Sequence, residues 1–451
     1  MAIKTYAMGF MSRWQSAVLS AIRGDDQNDT ALASEHPVMR ASCDACEVME
    51  QSAEAGNNPL DFAADVSKSE LVSACARMYL SLALAKTTGD HERASELEAE
   101  LQFSVCDPLW AKALLHFDDA RVVTPYRHYE SLDDFVLPLA PDAASSQPED
   151  AMDNAMDKVR VAFVSDWATG TSIAKNVMRC VGAQNPDIVI HLGDVYYSGT
   201  KDEMDSHFLS IVREMLPAHT RVFNLAGNHD LYAGGEGYYW LIDELGQPAS
   251  YFCLRNSHWQ ILAIGAPPEI GSPLSAQAAA PDIDPKEADW QRHKIESADG
   301  RKTVMLSHYQ LFTASGNIAR SPDNRPLAVN PVFMDAFGNH LGDIDIWLWG
   351  HEHNLALFEP YAGLERGRCI GSGSMPVALM WEPYKTLENL ALPAGFTEPP
   401  IMSEAGRLGH DGDHYHHAFC VLDIEGPSGA MTYFQVPGID GDAEPIHTEQ
   451  L

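Results

Sequence analysis

Residues 187–199 read DIVIHLGDVYYSG, and this stretch decides the architecture of the chain. Asp187 to Leu192 is a short run dominated by Ile, Val and Leu, the texture of a strand covered on both faces. Gly193 permits a sharp exit from that strand, and Asp194 and Tyr197 follow it. The same pattern recurs at four other places. Val159 to Ser165 leads to Asp166, and Arg221 to Ala226 leads through Gly227 to Asn228, His229 and Asp230. Thr303 to Ser307 leads to His308, and Asp345 to Trp349 leads through Gly350 to His351 and His353. Side chains at the carboxyl ends of adjacent strands converge at one edge of a sheet. Carboxylate, amide, phenol and imidazole donors gathered there suit hard and borderline metal ions. Two such ions held about 3.5–4 Å apart form the arrangement that cleaves phosphate esters. A strand-end His or Asp taken singly is usually a satisfied polar residue; five in succession, each after its own strand, are not.

Composition narrows the partners. The chain has 30 Lys and Arg against 64 Asp and Glu, a formal net charge of -34. A surface that negative repels nucleic-acid backbones, so nucleic acid is not expected as a partner; the donor pattern points instead to a small phosphorylated substrate. With 451 residues, 45% of them hydrophobic and 21% charged, the chain suits roughly two or three globular domains. It has no run of about 18 apolar residues, so no transmembrane helix is expected. The N-terminus has no export-signal pattern, which points to a cytoplasmic location. Met11, Trp14, Val18 and Ile22 instead recur at helical spacing, as in an amphipathic helix packed on protein. The eight cysteines are widely spread and form no bridge framework. Cys43 and Cys46 make one CxxC pair. It reads as two cysteines a helical turn apart, since a zinc ribbon needs a second pair nearby.

Three regions follow from texture. Residues 1–137 form a helical N-terminal domain rich in Ala, Glu, Leu and Met. Within it, segment 68–104 reads as a helical hairpin broken at Thr87-Thr88-Gly89-Asp90. Residues 138–157 form a Pro-, Ser- and acid-rich linker. Residues 158–451 form the catalytic domain. There Tyr251 to Leu254 and Trp259 to Ile264 read as paired strands, and Gly426 to Gly429 joins the strands Ala418 to Asp423 and Ala430 to Phe434 as a hairpin. Residues 265–285 and 313–333 read as surface loops. Trp347 and Trp349 belong to the core.

The ordered motifs resemble the calcineurin-like metallophosphoesterase superfamily: Asp, Gly-Asp, Gly-Asn-His-Asp, His, Gly-His-x-His. Within it they are most similar to the purple acid phosphatase branch. The general superfamily begins Asp-x-His, whereas Ala168 stands at that third position here. The branch supplies instead a tyrosine three residues after the bridging aspartate, which is Tyr197. Asp166-Trp167, Ser198-Gly199 and Asn354 add to the likeness, which spans roughly residues 159–375 and leaves residues 1–150 uncovered.

That resemblance implies a four-layer α-β-β-α sandwich. Asp166, Tyr197 and His353 would hold a first metal, Asn228, His308 and His351 a second, and Asp194 would bridge them. His229 and Asp230 are the catalytic candidates, with His229 facing the substrate. The expected metals are Fe3+ with Zn2+, Mn2+ or Fe2+. Displacing the proton of a phenol with a pKa of about 10 requires a strong Lewis acid, so Tyr197 points to a trivalent first ion; the other reading is a packed aromatic beside two divalent ions. Two cations sharing a water lower its pKa and create a hydroxide that attacks phosphorus. Phosphate monoesters are the expected substrates. Phosphodiesters, including cyclic nucleotides, are the alternative, and a binding protein with a relic site is a third reading. The chain departs from the branch in two ways. Residues 309–314 contain none of the extra histidine that often helps bind phosphate, and no export signal is found. The cluster His410, Asp411, Asp413, His414, His416 and His417 reads as a polar loop before the Ala418 strand. Residues 1–137 are also a candidate homodimerisation element.

Overall fold

The computed structural model describes residues 126–139, 158–265, 282–314, 318–319, 321–323, 325–377, 382–402, 405–412 and 414–451, together with Ser81 and Leu379. The expected N-terminal helices, the CxxC pair and nearly all of the 138–157 linker lie outside the described residues. The chain divides into two compact units, residues 1–119 and 120–451. Residues 126–139, grouped above with the N-terminal region, lie in the second unit.

Two mixed sheets make up the centre. The first holds β15 (Glu444–Gln450), β14 (Ser428–Val436), β13 (His417–Glu425), β2 (Lys158–Val164), β3 (Ile188–His191) and β4 (Arg221–Asn224), in that spatial order. The second holds β1 (Val136–Pro138), β5 (Phe252–Arg255), β6 (Trp259–Ala263), β7 (Lys302–Ser307), β8 (Ile346–Trp349), β10 (Gly367–Ile370) and β9 (Leu355–Leu357). In each sheet the strands that end in candidate donors run parallel: β2 with β3 and β3 with β4, and β7 with β8. Parallel strands point their carboxyl ends the same way, so their terminal residues gather at one edge.

Strand alternation sorts the side chains into layers. Val161 and Phe163 of β2, Val304 and Leu306 of β7, and Ile346 and Leu348 of β8 fill the core between the sheets. Their neighbours Ala162 and Val164 face outward onto Val177, Met178, Val181, Phe208 and Ile242. Met305, Trp347 and Trp349 face outward on the other side onto Trp290, Ile295, Phe333 and Phe337. Those outer contacts come from helices α1 (Ser172–Ala183), α2 (Glu236–Glu244), α3 (Pro285–Glu296) and α4 (Pro331–Phe337), and from the helical run Lys201–Met215. The result is the four-layer α-β-β-α sandwich, with apolar residues on both faces of both sheets.

The hairpin read from Gly426-Pro427 is present, with Glu425 paired to Ser428. The donor-rich segment near 410 is more ordered than a loop: His410–Asp411 pairs with His414–Tyr415, and His417 opens β13.

Candidate metal centre

The site lies where the carboxyl edges of the two sheets face each other. Strands β2 and β3 deliver Asp166 and Asp194, and the turn after β4 delivers Asn228. From the second sheet, β7 delivers His308 and the turn after β8 delivers His351 and His353. Ligand atoms of Asp194, His308 and His351 all lie within 4.8 Å of one another, as do those of Asp166, Asp194 and His353. Asp194 belongs to both groups, as a bridging ligand must.

Local backbone aims these donors. Asp166, Asp194 and His351 adopt φ of 53°, 75° and 66°. Left-handed backbone costs such residues on the order of 1–3 kcal/mol each and persists where surrounding structure enforces it, typically at functional sites. Two motif glycines exist for close approach. A Cβ on Gly227 would overlap the Asp194 carboxylate, and one on Gly350 would overlap the Ser165 hydroxyl.

The hydrogen bonds fix tautomers and orientations. His308 Nδ1 donates to the Leu192 carbonyl at 2.9 Å, which leaves Nε2 as a lone pair. That lone pair lies 3.3 Å from Asn228 Oδ1, 3.2 Å from His351 Nδ1 and 3.4 Å from Asp194 Oδ1. The Asn228 amide is turned by its NH2, which donates to the Tyr232 hydroxyl at 2.7 Å, so Oδ1 faces the histidines. Asp194 Oδ1 also accepts from the His229 N–H at 3.0 Å, while His308 Nε2 and Asn228 Oδ1 bring no proton of their own. The remaining acceptors face one another, which a cation between them relieves.

In the second group Asp166 Oδ1 lies 3.4 Å from His353 Nε2. Its Oδ2 accepts from the Ser165 hydroxyl at 2.6 Å and from the His351 N–H at 3.0 Å. The phenol among these donors is that of Tyr196. Its oxygen lies 3.3 Å from Asp166 Oδ1, 3.4 Å from Asp194 Oδ2 and 3.1 Å from His353 Nε2. Tyr197, which the motif spacing selects, is buried. Its N–H donates to Glu203 Oε1 at 2.8 Å, and its carbonyl accepts from His229 Nδ1 at 2.6 Å.

Electrostatics also call for cations. Among the described residues, the ion-pair partners of the buried Asp166 and Asp194 are imidazoles, not Lys or Arg. Burial, together with the charges of Asp166 and Asp230, pushes Asp194 well above the usual carboxylate range. Burial also pushes Asp166 upward, but hydrogen bonds from His353 and Ser165 oppose it and hold Asp166 below that range. Burial pushes the pKa of His308 down and that of His351 further down, which favours the neutral imidazole at both. Neutral imidazoles, buried carboxylates and an aimed amide oxygen fit a pair of metal ions.

His229 stays out of both donor groups. Its Nδ1 is anchored on the Tyr197 carbonyl, which leaves Nε2 4.0 Å from Asp194 Oδ2. Burial pushes its pKa down to about 3, so it is neutral at ordinary pH. Asp230, expected above as a catalytic candidate, is bonded to main chain. It is fully buried, and its Oδ2 accepts main-chain N–H groups of Asp194 at 2.6 Å and Gly227 at 2.7 Å. It ties the turns after β3 and β4 together and positions their ligands. Burial pushes its pKa up to about 7.

Sequence reasoning missed Tyr196, Tyr232 and Glu203. Glu203 accepts the N–H groups of Tyr197, Ser198 and Thr200 and shapes the loop that carries both tyrosines. Its signal was legible: Thr200 and Glu203 stand at capping-box spacing, and the box forms. Among the described residues, the histidines near 410–417 join neither donor group.

With this geometry established, comparisons define the class. Residues 159–355 match the family model for calcineurin-like phosphoesterases. These residues form a calcineurin-like phosphoesterase domain, and they carry every donor named above. Solved structures similar to the chain include GAP50, the anchor in the inner membrane complex of Plasmodium. It shows 13% identity, covers 65% of this chain and 89% of that one, and has a TM-score of 0.39. PhoD shows 10% identity over 66% of this chain and 70% of that one, with a TM-score of 0.43. Vps29 from Cryptosporidium parvum shows 11% identity over 65% and 98%, with a TM-score of 0.31. No curated protein matches the sequence significantly.

Proposed function

We propose that this chain hydrolyses phosphate esters, monoesters first, with a two-metal centre of the purple acid phosphatase kind. The observation that carries this reading is the pair of buried donor groups that share Asp194, with His229 beside them but outside both. Asp166, Asp194, His353 and a tyrosine of the 196–197 pair hold one ion. Asn228, His308, His351 and Asp194 hold the other. Ferric iron with Zn2+, Mn2+ or Fe2+ suits this mixture of carboxylate, phenol and imidazole donors. When bound, the two cations supply a water of lowered pKa and positive charge beside the phosphoryl oxygens.

The chain's own residues do the rest. The Asn228 amide, held by Tyr232, keeps its oxygen on the ligand side. His229 is held through Nδ1, so Nε2 is the atom that meets the substrate. A phosphate dianion arriving there favours the protonated imidazole, which donates to a phosphoryl oxygen or to the departing alkoxide. Asp230 and Glu203 hold the two turns in register while this happens. The acidic surface disfavours a polyanion such as nucleic acid, so a small substrate held by the metals is the better reading.

The test is a parallel assay of metal-loaded protein on a nitrophenyl monoester and a bis-nitrophenyl diester, with metal content measured on the same samples. Two ions per chain and faster monoester cleavage are expected. His229→Ala should keep both ions and lose roughly 10²–10⁴-fold in kcat, the usual contribution of a positioned proton donor. Full turnover by His229→Ala, or faster diester cleavage, would overturn the corresponding part of the reading.

A further inference from the structure

We infer that the phenol ligand of the metal centre is Tyr196, one residue earlier than the family spacing assigns. This inference rests on the two-ion reading above and concerns which side chain completes the group around Asp166, Asp194 and His353. The Tyr196 oxygen lies 3.1–3.4 Å from one ligand atom of each of those three residues. Four donor atoms from three different turns thus surround one point. Tyr196 is fully buried, and its ring packs 4.6 Å from that of His229, so the phenol has little room to swing elsewhere. The position of its main chain is set independently: its N–H donates to the Ala168 carbonyl at 3.1 Å, and its carbonyl accepts from His207 Nδ1 at 2.8 Å.

Tyr197 has a different task. Its carbonyl anchors His229 and its N–H anchors Glu203, so it links the substrate-facing imidazole to the loop clamp through its backbone. Ala168 and Tyr196 are also joined by the bridge between Ala168 and Val195, which brings the loop after β3 against the loop after β2. When an ion is bound, the O–H bond of Tyr196 breaks, the proton passes to solvent, and a metal–oxygen bond forms. No electron changes hands.

The test is spectroscopic. Metal-free protein is loaded with ferric iron, and visible absorption is recorded for wild type, Tyr196→Phe and Tyr197→Phe, with bound iron measured in each. Wild type and Tyr197→Phe should show the phenolate-to-iron charge-transfer band, and Tyr196→Phe should lose it while remaining folded by circular dichroism. A band lost in Tyr197→Phe and kept in Tyr196→Phe would overturn the assignment and leave the two-ion reading standing. So would iron-bound wild type with no band. Wild type that binds no iron or divalent metal at all would instead sink the two-ion reading itself. Should Tyr196→Phe fail to fold, a crystal structure of iron-loaded wild type decides the matter directly: the Tyr196 oxygen at bonding distance from the iron is expected, and the Tyr197 oxygen there instead overturns the assignment.

Discussion

At the scale of single residues, the donor groups are positioned by side chains that belong to neither of them. Tyr232 accepts from the Asn228 amide and so determines which end of that amide faces the histidines. Tyr232→Phe removes this anchor without opening a cavity. Partners that orient a ligand are worth about 10–100-fold in metal affinity, so the variant should bind the ion at the Asn228 position that much more weakly. Competition with a chelator of known affinity measures this, and an unchanged affinity would show that the amide is held some other way. Asp230 acts on the backbone of two ligand turns. Asp230→Ala deletes acceptors of the Asp194 and Gly227 N–H groups, and each charge-assisted hydrogen bond is worth about 1.5–3 kcal/mol. The variant should melt earlier and bind metal more weakly. A loss of turnover with unchanged melting and unchanged metal content would instead return Asp230 to a catalytic role.

At the scale of elements, residues 126–139 strap onto the second sheet. β1 pairs in parallel with β5 at Val136 to Cys253, and Tyr126 donates to the buried Glu287 of α3. Glu287 also accepts from the Gly265 N–H at 2.7 Å and from Gln291 at 3.3 Å. Burial nevertheless raises its pKa to about 7 from an ordinary value of 4.5. The sign follows from linkage. Between those values the folded protein binds more protons than the unfolded chain, so this stabilisation is complete below about pH 4.5 and declines as pH rises through 7. The loss at pH 8 is on the order of 3 kcal/mol. Glu287→Gln lacks the titration. Its melting temperature relative to wild type should therefore climb between pH 5 and pH 8; a flat difference would place the carboxyl's pKa near its ordinary value. Nothing in the composition of residues 126–139 distinguishes this strap from the region before it, because three residues of strand carry too little pattern to read.

For the whole molecule, the proposed two-ion centre would tie stability to metal. Ligands that bind only the folded state stabilise it by about 2.7 kcal/mol at one hundred times their dissociation constant. Stripping the metals should therefore lower the melting temperature by several degrees, and readdition should restore it. Equal melting curves with and without a strong chelator would mean that the donor groups do not hold ions in solution. The net charge of -34 has a kinetic consequence. It repels anionic substrates at long range, and this repulsion is screened as the Debye length falls from about 30 Å at 0.01 M salt to about 10 Å at 0.1 M. kcat/KM for a dianionic monoester should rise over that range, and a fall would show that the local field of the metal centre dominates approach.

The family resemblance of the sequence motifs implied the sandwich, and the strand-end pattern picked out six residues that lie together in the structure. Buried parallel strands are apolar on both faces, and a polar residue at the end of such a run has one place to go, the carboxyl edge. Asp166, Asp194, Asn228, His308, His351 and His353 were legible for that reason, and the structure brings them together. Tertiary structure decided which of two adjacent phenols lies beside Asp166, Asp194 and His353, and which main-chain N–H groups Asp230 accepts. It also decided that residues 126–139 join the second sheet. Each depends on the path of a loop or an edge strand. Those paths are set by contacts between residues far apart in the chain, such as Tyr196 with His353 and Tyr126 with Glu287, and no local periodicity records them.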